Sequence, residues 1–356
     1  MGNNGSILFV HKHSRDWESL FSRTPLPEIG DLAATMEHGR DAWIVMLYFL
    51  LKRRGLDVEM SEHFVPGRLC VVHRDDIDFS DIPILFLSYV VAIRADRDRT
   101  FVCDEEIVQS PSSIEGEHQH YIPFWPTPGL IRRNLGRGTD VKNLFYSGRR
   151  KNLAARFRTE AFTRRLRKLG VEFIIEDKPP GWANFSKADV VLAVRDGLPY
   201  FLANKPMSKL SNAWAAGCPA LVGAEPVFEY HGVSEVDFFK VSSIDDVIGV
   251  LTRLKTTPEL FAKVTENGKK RAAEFSYDAT LEKWERLLFG VVQSNYGDWL
   301  RRPASIRYSI SFMKFIWRLH RKIIRGNRNI RGYDENGLET SYWRKLVTRV
   351  SGGAFD

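Results

Sequence analysis

From Asn204 to Leu221 the chain reads NKPMSKLSNAWAAGCPAL, a stretch whose residue types suit the binding of a diphosphate. Pro206 fits the edge of a helix, and Ser208 can cap the free amides of a first turn. Lys209 adds a full charge where a helix start already carries a partial positive charge, which makes an anion site. Asn204 and Asn212 are polar amides separated by seven residues, and Lys205 is a second cation in the same stretch. Elsewhere, Arg149 and Lys151 follow a strand-like run, and His11, His13 and Asp16 follow the first one. An imidazole or carboxylate within reach of a hydroxyl is the general base that group transfer requires, with His73 and Asp75 as second choices.

These residues need elements to hold them. Leu210, Ala213 and Trp214 recur at helical spacing, and Gly217 with Pro219 ends the helix before the apolar run Ala220, Leu221, Val222. Strands are expected at Ile7 to Val10, Cys70 to Val72, Ile84 to Leu87 and Thr100 to Val102, with a helix from Asp41 to Arg54. The text IPFWPTPGL places three prolines within six residues and reads as a connector. A second set of strands is expected at Asn143 to Ser147, Val171 to Ile175 and Asp189 to Val194, around an Arg-rich helix from Phe157 to Leu169. Helices are then expected at Ile244 to Leu254, Pro258 to Glu274 and Tyr277 to Gln293. Strands alternating with helices indicate parallel βαβ construction, in which ligands sit beyond the carboxyl ends of the strands.

Composition sets the bounds. With 356 residues, 44% of them apolar, the chain is globular and long enough for two domains. The apolar runs are too short to span a membrane. Cys70, Cys103 and Cys218 are odd in number and lie among apolar neighbours, which suits reduced core thiols in a cytoplasmic protein. The opening MGNNGS fits the loose pattern for acylation at Gly2. The net charge of +8 is located entirely from Tyr296 to Asp356, where 13 Lys plus Arg face 5 Asp plus Glu. A neutral body with a basic appendage argues against nucleic acid and for an anionic surface. From Ile306 to Ile324 apolar residues recur at helical spacing with basic residues between them; such a helix lies on a membrane or packs its apolar face on the body, and both remain open. Neither a phosphate-loop motif nor a GxGxxG fingerprint is present, which removes support from kinase, GTPase and dehydrogenase readings. The Asp-x-Asp triplets at Asp76 to Asp78 and Asp96 to Asp98 lack further metal-ligand patterning, so no metal is expected.

Two α/β halves, the connector YIPFWPTPGL, the phrase KLSNAWAAGCP and a terminal helix together resemble the GT-B glycosyltransferases, and more closely the retaining type and a bacterial subgroup associated with surface polysaccharides. The resemblance implies an acceptor-side domain over residues 1–138, a nucleotide-sugar domain over 139–276, a crossing helix over 277–295 and a basic tail over 296–356. It implies metal-independent hexosyl transfer from a nucleotide-diphosphate sugar, with no cofactor, to a glycan or lipid-linked acceptor, on the inner face of a membrane. Retaining members carry two Glu residues with seven between them, contacting donor sugar and ribose; Asn204 and Asn212 stand at that spacing here. The resemblance therefore gives Asn204 to the sugar, Asn212 to the ribose, and Arg149, Lys151, Lys205, Ser208 and Lys209 to the diphosphate, with Glu229 beside the sugar. An amide lacks the charge-assisted strength of a carboxylate. A non-catalytic sugar-nucleotide-binding protein, or a sugar-nucleotide epimerase of the same fold, are the alternatives.

Overall fold

The computed structural model describes residues 6–328 apart from 101, 179 and 180, with side chains described as far as 320. The Gly2 motif and the tail beyond residue 328 lie outside the described residues. The first sheet has six parallel strands: β1 (Ile7–Val10), β2 (Val58–Ser61), β3 (Leu69–His73), β4 (Tyr89–Ala95), β5 (Glu105–Val108) and β6 (Gln119–Tyr121), in the order β2-β1-β3-β4-β5-β6. The second has five parallel strands: β7 (Asn143–Ser147), β8 (Glu172–Glu176), β9 (Val190–Ala193), β10 (Ala220–Val222) and β11 (Phe239–Lys240), in the order β11-β10-β9-β7-β8. In both, the strand order reverses beside the first strand, so each sheet opens a crevice there, between β1 and β3 and between β7 and β9.

The central strands read as unbroken apolar runs because helices cover both faces. The helix Gly39–Arg53 is apolar nearly all round, from Trp43 to Leu51, and is buried on every side. One side meets the sheet, and the other meets the helical run over residues 277–300, which returns to the first domain. Leu281, Trp284, Leu288 and Val292 thereby join Ile7, Phe9, Val71 and Val91 in one core.

Two expected strands are placed differently. Ile84 and Leu85, expected to open a strand Ile84 to Leu87, belong instead to the short helix Ile82–Leu85, because Pro83 sits in its first turn and Asp78 and Asp81 form a capping box just before it. The strand follows at β4. Thr100 and Val102 lie in a loop, and the strand beyond them is β5, whose Glu105 and Glu106 are buried. Glu105 earns its place by bonding Tyr89 Oη at 2.6 Å, His120 Nε2 at 2.8 Å and Asn295 Nδ2 at 2.8 Å. Burial opposes its charge, but these partners, His120 foremost, hold its pKa at about 2. The three cysteines are free and buried.

The connector after β6 sends Trp125 into the first core and joins the domains through Thr127. Second-domain order depends on Asp189, fully buried ahead of β9, which accepts bonds from Arg133, Arg137 and the amides of Lys142 and Asn143.

Candidate functional site

β7 ends at Ser147, and Gly148 follows with φ +127°, a region that side chains avoid. A Cβ there would also lie 2.8 Å from Lys209 Nζ, so glycine opens the rim to that lysine. Lys209 projects from the first turn of the helix Ser208–Ala216, which is anchored by buried Leu210, Ala213 and Trp214 and closed by Gly217 at φ +77°. Its ammonium donates to the Ser147 carbonyl and lies 4.1 Å from the centroid of the Tyr146 ring. Burial first, then the Arg195 guanidinium, bring its pKa down to about 7. The N-cap position is Met207 rather than a capping hydroxyl: Ser208 is already helical and its side chain caps nothing, which corrects the expected cap. The first amides of the turn thus have no side-chain cap.

Beside Lys209, at the ends of β9 and β10, stand Arg195 and Glu225. Glu225 is only 1% exposed, yet neither carboxylate oxygen has a hydrogen-bond partner among the described residues. Arg195 Nε is equally unpartnered, 3.4 Å from Glu225 Oε1. Burial pushes the Glu225 carboxyl upward, against the pull of Arg195, Lys209 and Lys205. Buried polar groups are ordinarily satisfied, which makes this cluster beside the crevice of the second sheet the candidate site. Arg195 follows the expected strand Asp189 to Val194, on the rim where the sequence places ligands, whereas Glu225 was not singled out. The only local signal was Gly223, where a Cβ would lie 2.7 Å from Glu225 Oε2, and Pro226 opening the next helix.

The expected residues are placed as follows. Asn204 Oδ1 accepts from Arg94 Nη2 and Ser113 Oγ, both at 2.7 Å, and its Nδ2 donates to Tyr200. Lys205, 7% exposed, donates to Asp96 at 2.9 Å. These two bridge the domains. Asn212 exchanges bonds with the Thr127 amide and hydroxyl, at 3.2 and 2.6 Å. The amides at the expected sugar and ribose positions are therefore engaged by protein groups. Arg149 and Lys151 lie exposed after β7, and Glu229 pairs with Lys240 on the surface.

Across the cleft, His11 has both ring nitrogens engaged: Nδ1 accepts from the His13 amide at 3.2 Å, and Nε2 meets Asp41 at 3.0 Å. His13 and Asp16 are exposed. His73, at the end of β3, is buried; its Nδ1 accepts from the Asp75 amide, leaving Nε2 without a hydrogen bond among the described residues. Burial, only partly offset by Asp75 and Asp76, lowers its pKa to about 4, so it is neutral at physiological pH. The acids of the two Asp-x-Asp triplets are largely spent on cations: Asp76 on Arg40, Asp78 on Lys12, Asp96 on Lys205. The rims are further tied by Tyr121 Oη and His231 Nε2, 2.7 Å apart.

No family model and no curated protein matches the chain. Among solved structures it is similar to AviGT4, a glycosyltransferase involved in avilamycin A biosynthesis, at 15% identity over 80% of this chain and 98% of that one, with a TM-score of 0.49. It is also similar to HepE of Anabaena, solved with UDP and glucose, at 12% identity over 80% and 99% of the chains, with a TM-score of 0.47. Sucrose-phosphate synthase of Thermosynechococcus elongatus aligns at 13% identity over 69% and 71%, with a TM-score of 0.38. At these values the likeness assigns no residue of the site. Its own topology, two parallel α/β sheets with a helical run returning to the first, is the two-domain arrangement that the GT-B resemblance implies.

Proposed function

We propose that this protein is a glycosyltransferase that takes a nucleoside-diphosphate sugar at the crevice between β7 and β9. The observation that carries this reading is the cluster of Lys209, Arg195 and Glu225, in which both Glu225 carboxylate oxygens and Arg195 Nε are buried without a hydrogen-bond partner among the described residues. The open amides at the start of the Ser208–Ala216 helix and the Lys209 ammonium would grip the diphosphate. When the glycosidic bond breaks, negative charge grows on the bridging oxygen, and the two fixed cations lower the barrier by meeting it in place. A Lys209 with a pKa near 7 gains its proton as the anion arrives. Glu225 would accept from sugar hydroxyls or hold the Arg195 fork toward the phosphates.

The acceptor would enter from the first domain. His73, neutral and with Nε2 unbonded, is suited to take the proton of an attacking hydroxyl, whereas His11 has no nitrogen left for it. Asn204 and Lys205 act by holding the two rims together rather than by touching the donor. The acceptor class that fits is a glycan or lipid-linked sugar. HepE, solved with UDP and glucose, makes uridine the first base to try.

A thermal-shift screen of UDP, GDP and dTDP sugars tests the reading, because a ligand at a hundred times its dissociation constant adds about 2.7 kcal/mol of stability. Binding that disappears in Lys209→Ala and Arg195→Ala supports it. If no nucleotide sugar shifts the wild-type melting curve, the proposal fails. Since Asn204 and Asn212 are engaged by protein groups, binding without turnover would instead favour a sugar-nucleotide-binding protein.

A further inference from the structure

A surface amphipathic helix normally turns its apolar stripe inward. The helix Ala304–Arg328 does the reverse over much of its described length. Its inward face is largely polar, with Phe315 the apolar contact to the core: Arg307 lies 4.2 Å from the Trp299 ring centroid, Ser311 is 3% exposed, Lys314 donates to Asp104 at 3.1 Å, and Arg318 reaches Thr100 and Cys103. Its outward face is apolar, with Ile306 48%, Met313 70% and Ile316 46% exposed. An aromatic seam of Tyr308 and Phe312 on Phe86 fixes this orientation, and half-exposed Ile84 and Leu87 extend the patch onto the first domain.

We propose that this face docks on an anionic lipid surface. Charge selects that occupant. Between Asp298 and Asp334 the sequence holds ten Lys or Arg and no Asp or Glu; Arg307, Lys314 and Arg318 turn inward, and the other seven still leave the segment strongly basic. A second copy meeting this face about a two-fold axis would oppose two such segments with no acid to offset them. A bilayer with anionic headgroups accepts both halves of the pattern, with apolar side chains entering the acyl boundary and cations staying among the headgroups. No described helix is long and apolar enough to cross the bilayer, so the contact is parallel to its plane. The patch adjoins a small cavity lined by Ile82, Leu85, Val102 and Arg74, the residue after His73. Docking thus sets the first-domain rim beside the lipid; it does not rest on the transferase reading.

Flotation of the full chain with vesicles tests this. Wild type is expected to float with phosphatidylcholine vesicles containing about a third phosphatidylserine, to stay behind with phosphatidylcholine alone, and to release in high salt. The pair Met313→Glu and Ile316→Glu should weaken binding by about a hundredfold with an unchanged melting temperature, since both side chains are exposed. The milder Ile306→Ser and Met313→Ser pair serves if the charged pair misfolds. Wild type that ignores anionic vesicles, or variants that float as well as wild type, would overturn the proposal. A wild-type dimer split by the same substitutions would overturn it in favour of self-association.

Discussion

Lys209 offers a quantitative test because its proton and the ligand's charge are linked. A lysine in water titrates near 10.5, whereas burial and Arg195 bring this one to about 7. A bound diphosphate raises it again. Affinity that depends on the ammonium is then fully present below pH 7 and falls as pH rises above it, tenfold per unit until the pKa of the complex is reached. From pH 7, where half the lysine is already neutral, to pH 9 this amounts to about fiftyfold, or about 2.3 kcal/mol at about 1.36 kcal/mol per unit. Titration calorimetry with the tightest-binding nucleotide sugar of the screen, in two buffers of different ionisation enthalpy, should show uptake of about half a proton at pH 7 and about one at pH 8.5. A nucleotide sugar is the right probe because its diphosphate does not titrate near neutrality. Lys209→Arg keeps its charge across the range and should flatten the profile, at a cost in affinity because the longer fork does not fit above Tyr146. A wild-type affinity constant from pH 6 to pH 9, or a slope that persists in Lys209→Arg, would refute the assignment of Lys209 to the diphosphate.

Three further outcomes are expected. Gly148→Ala should lose about 1–3 kcal/mol of stability to its positive φ and reduce nucleotide binding by displacing Lys209, read by urea unfolding and thermal shift. Asp189→Ala should cost about 3–5 kcal/mol by stranding Arg133 and Arg137, seen as a lowered urea midpoint. The depressed Glu105 pKa means its bonds stabilise the fold above the carboxyl's ordinary range and are lost as pH falls toward 2; Glu105→Gln should flatten that part of an acid-unfolding curve.

Local signals carried much of the second domain. The apolar run at Asn143–Ser147 and the Gly217 turn are where composition and turn chemistry place them, because both depend on neighbours in sequence. β5 was missed since two glutamates contradict strand propensity, and their partners on β4, β6 and residues 277–300 come together only in the fold. Arg195 and Glu225 are thirty positions apart and meet only because β9 and β10 pair. Glu229, four residues beyond Glu225, had the same local appeal but emerges on the solvent side of its helix. The spacing of Asn204 and Asn212 drew the eye to the segment that joins the domains, and their side chains serve that junction.

The return of residues 277–300 to the first domain has a consequence for synthesis. Trp284, Leu288 and Val292 complete the core that Ile7 and Trp43 begin, so the first domain cannot close until residues 277–300 have left the ribosome. The second sheet, complete by Lys240, has all its strands earlier. The order of folding therefore runs against the order of domains, and the nascent first domain carries an uncovered apolar face throughout the making of the second, which makes it the stage at which a chaperone or an aggregate would capture this protein.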